Sequence, residues 1–313
     1  MTTTIRRKFA TKLALSAVCA VAWKLLLTAS VAAPASAIPA ASAGDEQRFA
    51  SPEEGAKALT AAAQARDTNA LHRLFGALAR EFVSPDVIQA AEDREAFLQR
   101  ASEKTILARE GNDRATLQLG EDNWLFPIPL VRRDGQWFFD TAAGREEILN
   151  RRIGRNEIGA IRVCHAFHEA QKDFIGQDSD RDGVREYARR LRSTPGKHDG
   201  LYWPDRDGSE QSPLGPLIAQ AHYEGYRGGK NLKVLAEDQS APYHGYYYKI
   251  LTRQGSHALG GKKNYIVHGR MTGGYALVAW PSDWGNTGVM TFVINQEGKV
   301  RQKNLGPKTA KLA

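Results

Sequence analysis

Residues 145–174 read REEILNRRIGRNEIGAIRVCHAFHEAQKDF. Ile153, Ile158, Ile161, Cys164, Phe167 and Phe174 recur at helical spacing, and charged residues fill most of the remainder. The pattern predicts one long amphipathic helix over residues 145–174 with its apolar stripe turned toward a core. What flanks it sets the fold class. Downstream come a turn-rich stretch and four strand patterns, at residues 246–252, 275–280, 289–295 and 300–304, with Glu297-Gly298 turning the last two. A helical stretch at 185–192 is expected between the long helix and those strands. Upstream lie short helices and then a strand meander. The class expected is α+β: N-terminal helices with an antiparallel sheet, then a long helix with a small antiparallel sheet.

The upstream signals are specific. Ser51-Pro52-Glu53-Glu54 is a helix start, with Ser51 as cap, Pro52 at the first helical position and Glu54 closing a capping box. Ala56, Leu59, Ala62 and Ala63 continue it as an apolar stripe. A second helix is expected over residues 69–75. A third begins near Pro85, with Val87, Ile88, Ala91 and Phe97 facing inward. Strands are expected at 115–119, 124–132 and 136–140, the last two joined at Asp134-Gly135, a hairpin dipeptide. Pro127 and Pro129 push the middle strand toward an edge or a bulge.

Composition places the chain among ordinary globular proteins: 313 residues, 42% apolar, 25% charged. The net charge of +8 is concentrated at the start, where residues 1–43 hold Arg6, Arg7, Lys8, Lys12 and Lys24 and no acid. The remainder carries 38 basic against 35 acidic residues, a nearly neutral body that argues against a dedicated nucleic-acid binder. Arg6, Arg7 and Lys8, then the Ala-rich apolar residues 13–33, then Ala35-Ser36-Ala37 and Ala41-Ser42-Ala43, have the layout of a cleaved secretory signal. The alternative, a retained membrane anchor, is weakened by Lys24 and Pro34. Three parts are therefore expected: 1–43 signal peptide, 44–150 first domain, 151–313 second domain, in a periplasmic or secreted protein with no stable membrane span after cleavage. Cleavage would leave Cys164 as the lone cysteine, expected as a buried structural thiol.

Two resemblances extend this reading. Helices followed by a meander ending in DGQWFFD (residues 134–140) resemble the cone-shaped nuclear-transport-factor-two-like fold. For an enzyme, that likeness implies an Asp/His or Asp/Tyr pair in the cone, for which His72 and Asp140 are the candidates, although a helix end and a strand end suit both as surface residues. STPGKHDGLYWP (193–204), GYYYKIL (245–251) and DWGNTGVMTFVINQEGKVRQKNLG (283–306) together resemble an uncharacterised bacterial secreted family, domain of unknown function 2950. The second half also resembles the soluble heads of type II secretion pseudopilins and type IV pilins, chiefly over residues 288–300. Its long helix is amphipathic and internal, and a whole domain precedes it, which argues against filament assembly.

Several constellations bear on chemistry. Asp178-x-Asp180-x-Asp182-Gly183, with Glu186 further on, spaces carboxylates as the first half of a calcium loop does. The twelfth position is Arg189 instead of a bidentate Glu, so weak calcium binding, or an acidic cap on the next helix, is expected. Asp205-Arg206-Asp207-Gly208 is a weaker echo that reads as a turn. His165 and His168, beside Glu169, have a zinc-compatible spacing without a third ligand, and read as a solvated helix face. Trp203, Tyr243, Tyr246 and Trp284 form a candidate binding surface if they share an exposed face; Tyr247 and Trp280 are expected in or near a core. Residues 265–269 faintly resemble a transpeptidase signature, but no cysteine follows residue 164. Nucleophile-elbow, zinc-protease, phosphate-loop and dinucleotide motifs do not occur. The function expected is a non-enzymatic interaction or envelope-structural module with a protein or glycan partner. The alternatives are an envelope hydrolase acting on cell wall or polysaccharide, and a glycan-binding module. No cofactor beyond calcium is expected.

Overall fold

The first helix starts where the cap residues place it. In the computed structural model, which describes residues 46–178, 183–204, 211–224, 226 and 241–313, Ser51 Oγ accepts from Glu54 N, and Glu54 Oε2 accepts in return from Ala50 N. Helix α1 (Pro52–Gln64) is followed by α2 (Thr68–Phe75), a 3₁₀ turn (Ala77–Phe82) and α3 (Val87–Glu103). A five-stranded antiparallel sheet comes next: β1 (Thr105–Arg109), β2 (Arg114–Leu119), β3 (Trp124–Leu125), β4 (Leu130–Arg133) and β5 (Gln136–Phe139). Its order is β1-β2-β4-β5, with β3 paired to β2. The two prolines split the expected strand at 124–132 into β3 and β4, because neither can donate to a ladder. Asp134 and Gly135 both have positive φ, 53° and 78°, as the tight turn between β4 and β5 requires. Leu59, Leu74, Leu98, Leu117, Phe126 and Phe139 form the first core between this sheet and the helices.

Helix α4 (Thr141–Gln177) is longer at both ends than the stripe alone predicts, because Asp140 caps it by accepting from Ala143 N. Near its start Ile148 packs on the first core; from Ala160 to Phe174 it carries the second. Ile158 departs from the expectation: it is 54% exposed and does not join the stripe. Helix α5 (Gly215–Tyr223) follows, and then β6 (Tyr246–Leu251), β7 (Arg253–Gln254), β8 (Lys263–Asn264), β9 (Ala276–Pro281), β10 (Met290–Asn295) and β11 (Arg301–Asn304). A terminal helix, α6 (Thr309–Leu312), packs against β9. Strands β11-β10-β9-β6 make a four-stranded antiparallel sheet, and β7-β8 form a separate two-stranded arm. The described residues all fall in one compact unit, and residue 150 lies inside α4. Among them no helix is long and apolar enough to cross a membrane.

The helix expected at 185–192 is absent; this stretch is irregular. Its backbone groups are taken by distant partners instead of by one another. Ala188 N donates to Gln171 Oε1 at 2.9 Å, Gln171 Nε2 donates to Ala188 O at 2.8 Å, and Tyr187 N donates to Met271 O at 2.9 Å. These bonds draw Ala188 and Leu191 into the second core.

Candidate functional site

Residues paired directly across an antiparallel ladder share a face. The register Lys249↔Val278↔Val293↔Arg301 and Leu251↔Ala276↔Asn295 therefore defines one face of the C-terminal sheet. The other face carries Tyr246, Tyr248, Ile250, Leu277, Phe292 and Ile294, all buried in the core that α4 helps to form. The face turned from that core is where the β7–β8 arm matters. Gln254 holds the loop between the arm's strands: its amide donates to Leu259 O at 2.9 Å and Gly261 O at 2.7 Å, while its Oε1 accepts from Tyr265 Oη at 2.8 Å. Gly260 and Gly261 supply the positive φ (82° and 73°) that the closed loop needs.

Between this pinned loop and the sheet lies a pocket of about 600 Å³. Its apolar lining is Leu251, Ala276 and Val293 on the sheet side and Ala258 and Leu259 on the loop side, and Arg253, His257, Lys299 and Arg301 supply cationic or basic groups. Among the described residues no Asp or Glu lines it. Arg301 is partly neutralised by Glu297, 3.1 Å away. The charge is regional: from Gly245 to Ala313 there are ten lysines and arginines against two acids, Asp283 and Glu297. Averaging over the whole chain hides this bias, and a windowed charge count would have revealed it.

A second cluster joins the two cores. Asp86, 3% exposed, caps α3 through Oδ1 to Ile88 N and Gln89 N, both 3.2 Å, while its Oδ2 accepts from Tyr226 Oη at 2.7 Å and Gly245 N at 3.4 Å. Gln89 donates to Asn156 Oδ1 at 2.7 Å, and Asn156 donates to Thr287 O at 2.9 Å, so a buried polar chain runs from α3 through α4 to the C-terminal sheet. Beside it His244 Nε2 lies 3.2 Å from Glu224 Oε2, which also accepts from Tyr243 Oη at 3.1 Å. His244 and Gly245 hold positive φ (49° and 71°), which aims the imidazole at Glu224. Burial keeps His244 below its ordinary pKa against the opposing pull of Glu224. Burial, and then the facing carboxylates Asp86 and Glu224 respectively, push the Tyr226 and Tyr243 phenols well up, so both remain neutral donors.

Glu92 sits at the edge of this cluster. Partial burial first, then the Glu224, Asp93 and Asp86 carboxylates, raise its pKa from 4.5, opposed by Arg155, which forms a two-pronged bond to Asp93 at 2.6 and 2.8 Å. A raised folded-state pKa means that the stabilisation is fully present below pH 4.5 and is lost as pH rises through the raised value. Glu92→Gln stays neutral throughout. It is expected to raise the melting temperature near neutral pH and to leave it unchanged below pH 4.5. Thermal melts of both proteins across pH 4–8 check this; curves that stay parallel would overturn it.

The residues singled out in the sequence meet different fates. Asp178 ends α4 in the left-handed region, where its Oδ2 accepts from Gly183 N at 3.1 Å and its Oδ1 is buried without a partner among the described residues. Asp180 and Asp182, the 205–208 echo and the signal segment 1–43 lie outside the described residues. Glu186 is engaged elsewhere, accepting from Met271 N at 2.7 Å. Among the described residues no group of three or more His, Cys, Asp or Glu is placed to hold a metal ion. His165 is exposed, whereas His168 turns to Tyr275, with Nδ1 2.7 Å from Oη. Tyr243 and Tyr246 are core residues, Trp203 is buried against His198, and Trp284 is half-buried with its Nε1 donating to Asn304 Oδ1. These four do not make one exposed aromatic face. Trp280 is buried, and Tyr247 stands beside it with ring centroids 5.9 Å apart. Cys164 is fully buried and its thiol is pushed up to about 12 by desolvation, which leaves it without nucleophilic character. His72 is exposed on α2 and Asp140 is the α4 cap, so they do not form a pair.

Fold and site together describe a two-core α+β protein with a basic, partly apolar pocket on the outer side of its second sheet. The chain belongs to the family described as protein of unknown function, DUF2950, whose model matches residues 46–313. No curated protein matches it. No solved structure matches it either.

Proposed function

We propose that this chain is an exported protein that acts by binding, an interaction module of the cell envelope whose binding face is the outer side of its C-terminal sheet. One observation carries the reading. The pocket there is lined by four basic side chains and is held open by a loop that Gln254 pins in place. A site built to bind needs such a preformed concavity with a few convergent polar groups. The signal-like layout of residues 6–43 supports export, and a long helix followed by a small antiparallel sheet supports the pilin-head likeness.

The test is recovery of partners from the native envelope on the tagged full chain, with calcium and then with chelator, identified by mass spectrometry. A reproducible partner that is lost with Arg253→Glu and Lys299→Glu together is the expected result. An empty recovery in both conditions overturns the reading. Loss of the partner with chelator alone would give the 178–186 loop its calcium.

A second reading rests on the Glu224–His244 pair, a carboxylate beside an imidazole with tyrosine donors around it. It makes the chain an envelope hydrolase acting on cell wall or polysaccharide. Release of reducing ends from envelope polysaccharide, abolished in His244→Asn, would establish it over the binding reading.

A further inference from the structure

We infer that the pocket under the β7–β8 arm is a site for an organic anion with an apolar body: a carboxylate or phosphate monoester carried on an alkyl or aryl chain. The inference rests on the binding reading above and names the ligand class of that same face. Two features of the lining select this chemistry together. Leu251, Ala276 and Val293 give the sheet side of the pocket an apolar surface, which a hydrated inorganic anion would leave unsatisfied. Arg253, Lys299 and Arg301 converge around it, and among the described residues Glu297 alone pairs with one of them, Arg301. A neutral hydrocarbon would leave those cations without a counter-charge, whereas an anionic head gains charge-assisted bonds from them.

Competing ligand classes fit less well. A metal cation finds no carboxylate among the described lining residues. A sugar ring needs an open aromatic platform, but Tyr265, the one Phe, Tyr or Trp among the described lining residues, is 1% exposed and has its hydroxyl committed to Gln254. The volume, about 600 Å³, lies in the range that takes a small organic molecule and not a folded partner. The Gln254 bonds also explain why the loop stays open over the sheet: one side chain ties it at Leu259 and Gly261, on either side of Gly260.

The experiment is a calorimetric titration of the purified full-length protein with four probes: octanoate, octyl phosphate, octanol and inorganic phosphate. Octanoate, octyl phosphate or both are expected to bind about tenfold or more tightly than octanol and than inorganic phosphate, the factor that one charge-assisted hydrogen bond supplies. Which of the two anions binds more tightly distinguishes a carboxylate from a phosphate source. Added salt should weaken binding of the anions but not of octanol. Arg253→Gln with Lys299→Gln should cost about tenfold for the anions and leave octanol unchanged. Both side chains are exposed, and the melting temperature of the double variant verifies that it folds. Equal binding of octanol and octanoate, equal binding of inorganic phosphate, no binding by any probe, or unchanged affinity in the double variant would each overturn the assignment. Recovery of an envelope partner is a separate readout, so a failed titration beside a successful recovery rejects the ligand class and keeps the binding reading.

Discussion

Replacing Asp86 by alanine is expected to lower the stability of the fold by about 3 kcal/mol, from the loss of a helix cap and the stranding of a buried hydroxyl. Both oxygens of this carboxylate act as acceptors, Oδ1 for the first amides of α3 and Oδ2 for Tyr226 Oη and Gly245 N. The cap alone is worth about 1 kcal/mol. Tyr226, 8% exposed, would be left with its hydroxyl turned toward an empty space, at a further cost of about 2 kcal/mol. For a chain of this length the loss corresponds to a melting temperature lower by about 5 °C. Asp86→Asn isolates the cause. An amide presents an acceptor oxygen and a donor nitrogen: with the oxygen on α3, the NH2 can donate to Tyr226 Oη but leaves Gly245 N without its acceptor, and an intermediate loss of about 1–2 kcal/mol is expected. Urea unfolding with an unchanged slope and a shifted midpoint checks both variants. An alanine variant as stable as the parent would mean that the polar chain between the cores contributes nothing.

Gly288→Ala is expected to be as damaging, for a different reason. This glycine does not use a backbone conformation closed to other residues; it makes room. A Cβ there would meet Tyr246 Oη directly, with two ring carbons at 2.6 and 2.7 Å. Tyr246 cannot step aside, because it is fully buried in the second core and its hydroxyl donates to Met290 O at 2.9 Å. Overpacking of this kind costs about 3 kcal/mol. Tyr246→Phe, which removes only the hydroxyl and its bond, should cost about 1 kcal/mol. The two variants compared by thermal melting separate the clash from the hydrogen bond. A Gly288→Ala protein that melts with the parent would show that the 284–288 loop yields more readily than its packing implies.

Much of the architecture was legible because it rests on local signals. The Ser51–Glu54 box, the Asp134-Gly135 turn and the stripe of α4 each act through residues adjacent in sequence, and each gave the right element. The elements missed are those without such a signal. Strand β1 has the burial pattern of a partly solvated strand, and β7 and β8 are two residues each in a Gly-rich stretch. Residues 185–192 have a plausible helical composition, yet Gln171 and Met271, far away along the chain, claim their backbone groups. The sites follow the same division. Tyr243 and Tyr246, candidates for a binding surface only if they share an exposed face, are core residues; for Tyr246, alternation along a strand tells which residues share a face but not which face is covered. Arg253 and Lys299 come from opposite ends of the second sheet's sequence, and only the fold brings them to one pocket. Glu224 and His244 are twenty positions apart with no motif linking them.

Helix α4 has a consequence for how such a protein can be divided. At 37 residues it is about 55 Å long, and it supplies side chains to the first core near its start and to the second from Ala160 onward. Modular proteins are usually joined by a linker that recombination can cut without harm. Here the join is itself a helix whose start packs on one core and whose remainder packs on the other, so a break within residues 141–177 interrupts an element that both halves use. Either half on its own would carry a truncated form of this helix at its end, and the length of helix that each retains decides whether its core stays covered.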